Sequence, residues 1–162
     1  TAKVKGKTLK CKVTVTKKQA AKKNAKTAGK KNTTSDISLQ KKVISIVNKN
    51  RKKKGLEALT MDEKLMKAAQ DRAKELTKSF SHTRPNGTSC FTIFEKYKIT
   101  PTASGENIAA GQRSAAAVMD SWMNSPGHKE NIMNNRFKKI GVGLVIVPND
   151  MYSYYWVQMF TE

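Results

Sequence analysis

Histidine and cysteine are scarce in this chain, and their scarcity limits its chemistry. Two histidines, His82 and His128, and two cysteines, Cys11 and Cys90, occur among 162 residues. The cysteines have neither a metal-binding spacing nor the number that a disulfide framework needs. The His-Glu-x-x-His motif of zinc proteases and the nucleophile elbow of serine hydrolases are both missing. Cys90 begins an apolar segment and is expected to be a small buried thiol, and only the fold could bring a base to it.

Long apolar runs are also absent, and so are acidic residues in the first part of the chain. No run approaches the ~18 to 20 apolar residues of a membrane-spanning helix. Residues 1–34 contain twelve lysines and no Asp or Glu, within a formal net charge of +20. Such an uneven charge distribution indicates an anionic binding partner, which could be nucleic acid, an acidic membrane face or an anionic cell-wall polymer. Nucleic acid fits least, because the segment has no arginine, no aromatic residue and no recognition motif. A solvated linker is the alternative.

The first 34 residues divide into a strand-like part and a linker-like part. Apolar residues alternate with polar ones in the first part, at Leu9, Cys11, Val13 and Val15. This stretch is similar to the closing strand of bacterial immunoglobulin-like surface repeats, which implies that residues 1–16 end an upstream repeat. Residues 17–34 have a Lys-rich composition without an apolar period, and we predict a linker there. A domain of residues 35–162 follows.

This domain begins with two predicted helices. Ser35 or Asp36 offers an N-cap for the first, and Gly55 has the position of a C′ residue after its basic last turn. Thr60 and Glu63 match a capping box for the second helix. Helical spacing predicts the buried face of the second helix as Leu65, Ala68, Ala69, Ala73 and Leu76.

Three shorter helices and two strands are predicted after these. The third helix ends before Pro101, Ser114 caps the fourth, and Pro126 starts the fifth. The predicted inward residues of the fourth helix are Ala117, Val118, Ser121 and Trp122. Residues 140–147 and 154–160 are apolar at nearly every position, which is typical of strands covered on both faces. Helices gathered before a small antiparallel sheet predict an α+β fold, an α-β-α sandwich with the sheet between helical layers.

Three polar residues stand next to turn signals and are candidates for a site. His82, Glu106 and His128 are predicted on separate loops or at segment ends, where functional side chains concentrate. Two imidazoles and a carboxylate could form part of a divalent-metal site. The alternatives are structural: His82 as a cap of the preceding helix, Glu106 as an acceptor for loop N–H groups, and His128 as a packing residue.

Five motifs of this domain together resemble the CAP superfamily, which groups cysteine-rich secretory proteins, antigen 5 and plant pathogenesis-related proteins. They are HTRPNG at 82–87, SGENIAAG at 104–111, WMNSPGH at 122–128, IGVG at 140–143 and YYWVQMF at 154–160. They follow one another in the family's order, and the resemblance extends from about residue 37 to residue 160. The eukaryotic cysteine pairs of the family are absent, so the chain resembles the bacterial, disulfide-free branch.

The resemblance implies an α-β-α sandwich with an open cleft that holds two histidines and two glutamates. His82 and His128 match the two family histidines, and Glu106 matches the Glu of the Gly-Glu-Asn motif. The second family Glu follows shortly after the tryptophan at position 122, and here Met-Asn-Ser stands in that place. The loss of this charge weakens the expectation of strong metal binding or hydrolysis.

The resemblance implies a secreted or wall-associated bacterial module, held by a Lys-rich linker. Its cleft of His82, Glu106 and His128 is expected to bind a lipid, a protein partner or another ligand, with a weakly held zinc, magnesium or calcium ion. One alternative is a metal-assisted hydrolase of peptide or wall polymer with Glu106 as general base. Another is adhesion to an anionic wall polymer through the basic N-terminal segment. The missing Glu favours binding over catalysis.

Overall fold

A computed structural model describes residues 35–162 and places five helices and four strands there. The predictions for residues 1–16 and 17–34 lie outside these residues. In chain order the elements are α1 (Ile37–Lys53), β1 (Thr60–Met61), α2 (Glu63–Leu76), α3 (Ile93–Tyr97), β2 (Ser104–Ala110), α4 (Ala115–Met123), α5 (Pro126–Met133), β3 (Lys139–Ile146) and β4 (Tyr154–Thr161). A short 3₁₀ turn, Cys90–Thr92, leads into α3. Among the described helices none is long and apolar enough to cross a membrane.

The four strands form one mixed sheet in the order β1-β3-β4-β2. β4 pairs antiparallel with both β3 and β2, whereas the two-residue β1 pairs parallel with β3. Apolar side chains cover both faces of the sheet. One cluster joins the sheet to α1, α4 and α5, and the other joins it to α2 and α3. The predicted α+β class and the α-β-α sandwich are confirmed, and the two long C-terminal strands lie where the sequence predicted them.

The ends of α1 follow the predicted chemistry, but one basic residue of its last turn is buried. The Asp36 carboxylate accepts hydrogen bonds from two backbone N–H groups of the first turn. Gly55 follows the helix with φ +71°, where glycine is favoured. Arg51 is 1% exposed, and its guanidinium donates to the carbonyl oxygens of Glu57, Ile132, Asn134 and Phe137. Arg51 therefore ties α1 to the segment after α5.

The predicted capping box of α2 is wrong by two residues. Asp62 is the N-cap, and its carboxylate accepts from Leu65 N at 2.9 Å. Thr60 lies in β1 and its N–H donates to Lys138 O at 2.8 Å, so it is part of the sheet. Tertiary pairing thus outweighed a local capping signal. The five predicted core residues of α2 are all buried, as expected.

The glycines of the IGVG motif explain how closely α2 approaches β3. A Cβ atom on Gly141 would lie 2.2 Å from the Leu65 carbonyl carbon, and one on Gly143 would lie 2.1 Å from Ala69 O. Both atoms belong to the backbone of α2, so no side-chain rotation could relieve the overlap. The motif therefore allows a helix to rest directly on the strand.

Two further predictions need correction. In α4, Ala117 is exposed and Ser121 is half-buried, whereas Ala115 and Met119 join Val118 and Trp122 in the core. The segment around Glu106 is a seven-residue strand, β2, and not a loop. Its mixed small and polar composition hid it from periodicity analysis, and its pairing with β4 establishes it.

Candidate functional site

The loop that carries His82 is closed by its own backbone hydrogen bonds. Arg84 N donates to Thr88 O at 2.8 Å, and Cys90 N donates to His82 O at 3.0 Å. Gly87 has φ +82°, a conformation that side chains other than glycine rarely adopt. The predicted turn is therefore present. Its closure fixes His82 next to Cys90.

His82 and Glu106, two of the predicted site residues, are in direct contact. His82 Nδ1 lies 2.8 Å from Glu106 Oε1. The side chain of Glu106 is 1% exposed on β2, whereas that of His82 is 38% exposed in its loop. A contact through Nδ1 leaves Nε2 as the ring nitrogen available to a ligand. Both residues line the candidate site.

Glu106 is also bound by Arg72, a buried cation on α2 that sequence analysis did not identify. Arg72 Nε donates to Glu106 Oε2 at 3.0 Å, and its Nη1 donates to Glu75 Oε2 at 2.6 Å. Its Nη2 donates to Ser81 O at 2.9 Å in the His82 loop. Arg84 completes the network through a 2.7 Å ion pair with Glu75. Two arginines and two carboxylates balance in charge, and together they join α2, the loop and β2.

Cys90 adds a sulfur to this pair of side chains. The candidate ligand atoms of His82, Cys90 and Glu106 all lie within 4.8 Å of one another. Burial, followed by the nearby Glu106 carboxylate, raises the pKa of the Cys90 thiol to about 12. The thiol is therefore protonated at neutral pH, as expected of a buried thiol, but its position beside the site was not predicted. It is a free cysteine. An open cleft of about 480 Å³ lies over these three residues.

His128, the third predicted residue, lies beside this group and not in it. It lies in the first turn of α5 and is 5% exposed. Burial and then the neighbouring His82 lower its pKa, so the ring is neutral at pH 7. Its Nδ1 is fully buried and has no hydrogen-bond partner among the described residues.

Two asparagines attach α5, the helix of His128, to β2. Asn107 Nδ2 donates to His128 O at 3.0 Å, and Asn131 Nδ2 donates to Asn107 Oδ1 at 2.8 Å.

The donor set of His82, Cys90 and Glu106 fits zinc better than magnesium or calcium. Nitrogen, thiolate sulfur and carboxylate oxygen are the ordinary zinc ligands, whereas the other two ions prefer oxygen ligands alone. The raised pKa of Cys90 means that a metal must displace its proton. Arg72 already neutralises part of the Glu106 charge. The group could therefore hold zinc, at reduced affinity.

The residues that sequence analysis missed at the site share one property: their partners are distant in sequence. Arg72 and Glu106 are 34 residues apart, and helical periodicity placed Arg72 between predicted core alanines without indicating a buried charge. The sequence did offer one signal, an arginine on the face of Leu65, Ala69 and Leu76. A long cation on an apolar helix face needs a buried anion.

Comparison with known proteins places the fold and motifs in one family. The sequence matches the family model "CAP: Cysteine-rich secretory protein family" over residues 44–160. It is 39% identical over 126 residues to the uncharacterised protein YkwD of Bacillus subtilis, a match that covers 74% of this chain and 49% of YkwD. The chain thus spans about half the length of that relative.

Two solved structures from bacteria have a similar fold. An outer surface protein from Borrelia burgdorferi superposes with a TM-score of 0.74 at 27% identity, covering 82% of this chain and 98% of the other. An extracellular protein with an SCP domain from Bacillus anthracis gives a TM-score of 0.69 at 26% identity, covering 78% of this chain and 41% of the other. The resemblance found in the five sequence motifs is therefore confirmed.

Proposed function

Because the chain belongs to the cysteine-rich secretory protein (CAP) family, we propose that it is an extracellular or wall-associated module that binds a ligand at the cleft of His82, Glu106 and His128. The extracellular and outer-surface descriptions of the two similar structures support the location. The observation that carries the binding proposal is the contact of His82 with Glu106 beneath an open cleft. A half-exposed imidazole held by a buried carboxylate offers a ligand one oriented ring nitrogen.

A weakly held zinc ion is part of this proposal. His82, Cys90 and Glu106 would hold it, and it would supply a Lewis-acidic centre for an oxygen or nitrogen atom of the ligand. Cys90 takes the place of a donor in a cleft that lacks the second glutamate expected from the family resemblance. Cys90→Ser tests the zinc proposal directly, because it removes the sulfur ligand with little change in side-chain volume.

The hydrolase alternative gains no comparable support. A general base must be free to accept a proton from the attacking water. His82 and Arg72 already contact the two carboxylate oxygens of Glu106, and in the site proposed here zinc would take the lone pair that a general base needs. Glu106 is therefore better suited to orient His82 than to carry protons.

Calorimetric titration with zinc, magnesium and calcium tests the metal part of the proposal. We expect heat of binding with zinc only, and about tenfold or greater weakening in Cys90→Ser, since even the loss of an outer-shell partner weakens metal binding by about 10–100-fold. Thr83→Ala, which changes an exposed residue of the same cleft and leaves the three donors in place, is the matched control. Equal zinc binding by the parent and Cys90→Ser would contradict the assignment.

Native mass spectrometry of the purified protein tests the ligand part. We expect a co-purified organic molecule that is lost in His82→Ala and retained in Lys78→Ala, an exposed change at the end of α2. Retention of the molecule in His82→Ala would place the binding site elsewhere.

A further inference from the structure

A small cavity at His128 is lined by two residues that each have a buried polar atom without a partner. Its lining residues are Phe80, Ile108, Ala109, Gln112, Ser121, Trp122 and His128. Gln112 Oε1 and His128 Nδ1 are the only fully buried side-chain nitrogen or oxygen atoms without a hydrogen bond in residues 35–162, and both belong to this lining. A buried polar atom left unpaired loses its hydrogen bonds to water without replacement, which destabilises the fold. Two of them at one cavity indicate that a polar group occupies it.

The cavity admits one small group. Its volume is about 10 Å³, close to the space that a single water-sized group requires. The remaining wall is apolar, formed by Phe80, Ile108 and the buried ring of Trp122. A larger polar fragment would not fit inside, so only the terminal atom of a ligand could enter.

The chemistry of the two atoms selects a neutral hydroxyl. Gln112 Oε1 can only accept hydrogen bonds. The orientation of the amide follows from Ser121, whose Oγ donates to Ala117 O at 3.0 Å and must therefore accept from the Gln112 side chain. The atom that donates to it, at 3.3 Å, is Gln112 Nε2. The occupant must therefore donate a proton to Gln112, which a carboxylate cannot do. His128 Nδ1 donates or accepts according to its tautomer. A hydroxyl can donate to one atom and interact with the other at the same time.

We infer that this cavity is a subsite for a single neutral hydroxyl of a ligand, recognised by Gln112 Oε1 and His128 Nδ1 and filled by a water molecule in the free protein. The ligand's hydroxyl replaces that water and keeps both hydrogen bonds. The inference rests on the proposed function, which counts His128 among the binding residues, and extends that set by Gln112. Gln112 lies outside the His82, Cys90 and Glu106 group, so the subsite and the metal site can be tested separately.

The carbon skeleton of the ligand lies outside the cavity, against Phe80. This side chain is half-buried, and its ring centroid is 6.3 Å from that of the half-buried Tyr152. An aromatic ring offers a large apolar surface, against which the C–H groups of a sugar or of an alkyl chain can pack. A saccharide and a long-chain alcohol are therefore the two sources of the hydroxyl that the experiment must distinguish.

The two tryptophans provide reporters for the test. Trp122 Nε1 donates to Ile108 O at 3.3 Å, and Trp156 Nε1 donates to Gln112 O at 2.7 Å. The indole N–H resonances of the nitrogen-15-labelled full chain are followed by NMR during titration with three probes: an N-acetylglucosamine trisaccharide, 1-hexanol, and 1-methoxypentane. The ether has the size of hexanol but no proton to donate.

We expect saturable indole shifts with the trisaccharide or with hexanol, and the probe that binds identifies the source. Gln112→Met, which removes the acceptor at similar volume, is expected to weaken that binding about tenfold, the value of one well-placed hydrogen bond. Gln40→Met, a buried glutamine on α1 outside the cavity lining, is the matched control and should leave the affinity unchanged. Zinc titration of Gln112→Met should match the parent, whether or not zinc binds.

Three results would overturn the inference. They are no shift with either hydroxyl probe, equal affinity of Gln112→Met and the parent for the probe that binds, or, where hexanol binds, equal affinity for hexanol and its ether. In each case the cavity holds water only. None of these results depends on the metal titration, so a failure of the subsite is distinguishable from a failure of the metal proposal.

Discussion

Arg72 and Glu106 form a fully buried ion pair, with Arg72 Nε 3.0 Å from Glu106 Oε2 and side-chain exposures of 0% and 1%. The pair connects α2 to β2, and through Ser81 O the same guanidinium holds the His82 loop. The candidate site is therefore assembled around a cation that contacts two of its supporting elements. Removing that cation leaves the buried Glu106 carboxylate without its guanidinium partner, whereas Glu75 keeps its ion pair with Arg84.

Arg72→Met is expected to lower the free energy of unfolding by about 3–5 kcal/mol, the usual cost of breaking a buried pair on one side. Urea denaturation measures the change. Lys74→Met, on the same helix, breaks an exposed ion pair with Asp71 and should cost less than about 1 kcal/mol. Similar losses of unfolding free energy in the two variants would show that the buried ion pair stabilises the fold no more than the exposed one.

The stability of the domain is expected to fall in acid partly through Glu75. Burial raises the pKa of this carboxyl, but hydrogen bonds from Arg84 and Arg72 outweigh burial and lower it overall. A carboxyl with a lower pKa in the folded state stabilises the fold above its unfolded-state pKa of about 4.3. That contribution disappears as the pH falls from there through the folded-state pKa.

Melting temperatures of the parent and Glu75→Gln between about pH 6 and pH 3 test this dependence. The variant should be less stable at neutral pH and should lose less on acidification. Glu63→Gln, an exposed change in the first turn of α2, serves as the control and should follow the parent curve. Parallel curves for Glu75→Gln and the parent would assign the acid sensitivity to other carboxyls.

Contact between α2 and β3 is expected to tolerate no side chain at Gly143. A Cβ there would lie 2.1 Å from Ala69 O, so Gly143→Ala must displace the helix and should cost about 3 kcal/mol or more. Gly87→Ala is the matched control, because a Cβ at Gly87 meets nothing within 4 Å and only its φ of +82° is unfavourable. That change should cost about 1–2 kcal/mol in denaturant unfolding. A Gly143 variant as stable as the Gly87 variant would mean that the helix adjusts without loss.

Local patterns predicted most of this fold because its helices and its last two strands carry strong periodicity. α1 and α4 begin at the predicted caps Asp36 and Ser114, whose side chains accept backbone hydrogen bonds. β2 escaped prediction because small and polar residues occupy most of its buried positions, and only its pairing with β4 makes it a strand. Thr60 misled the prediction for the same reason, since its place in β1 depends on β3.

For the site, sequence reasoning identified His82, Glu106 and His128 but could not place them relative to one another. The structure joins His82 to Glu106 and sets His128 apart with an unpaired Nδ1. Arg72 and Cys90 complete the arrangement through contacts that no local pattern encodes. Burial and long-range electrostatic pairing, not periodicity, determine those positions.

The last prediction concerns residues 1–34, whose twelve lysines supply much of the net charge of +20. Residues 35–162 already form two hydrophobic clusters, one on each face of the sheet, so we expect a chain that begins at Ser35 to fold on its own. Its melting temperature should match that of the full chain. Retention of the shortened chain on an anionic-polymer column should fall, because the removed lysines carry the electrostatic attraction. Retention of the full chain should also fall with added salt, because the Debye length shortens to about 8 Å at physiological salt. A full-length variant with the twelve lysines changed to glutamine separates charge from length and should also lose retention. A lower melting temperature of the shortened chain would move the domain boundary upstream, and unchanged retention would assign polymer binding to the CAP domain itself.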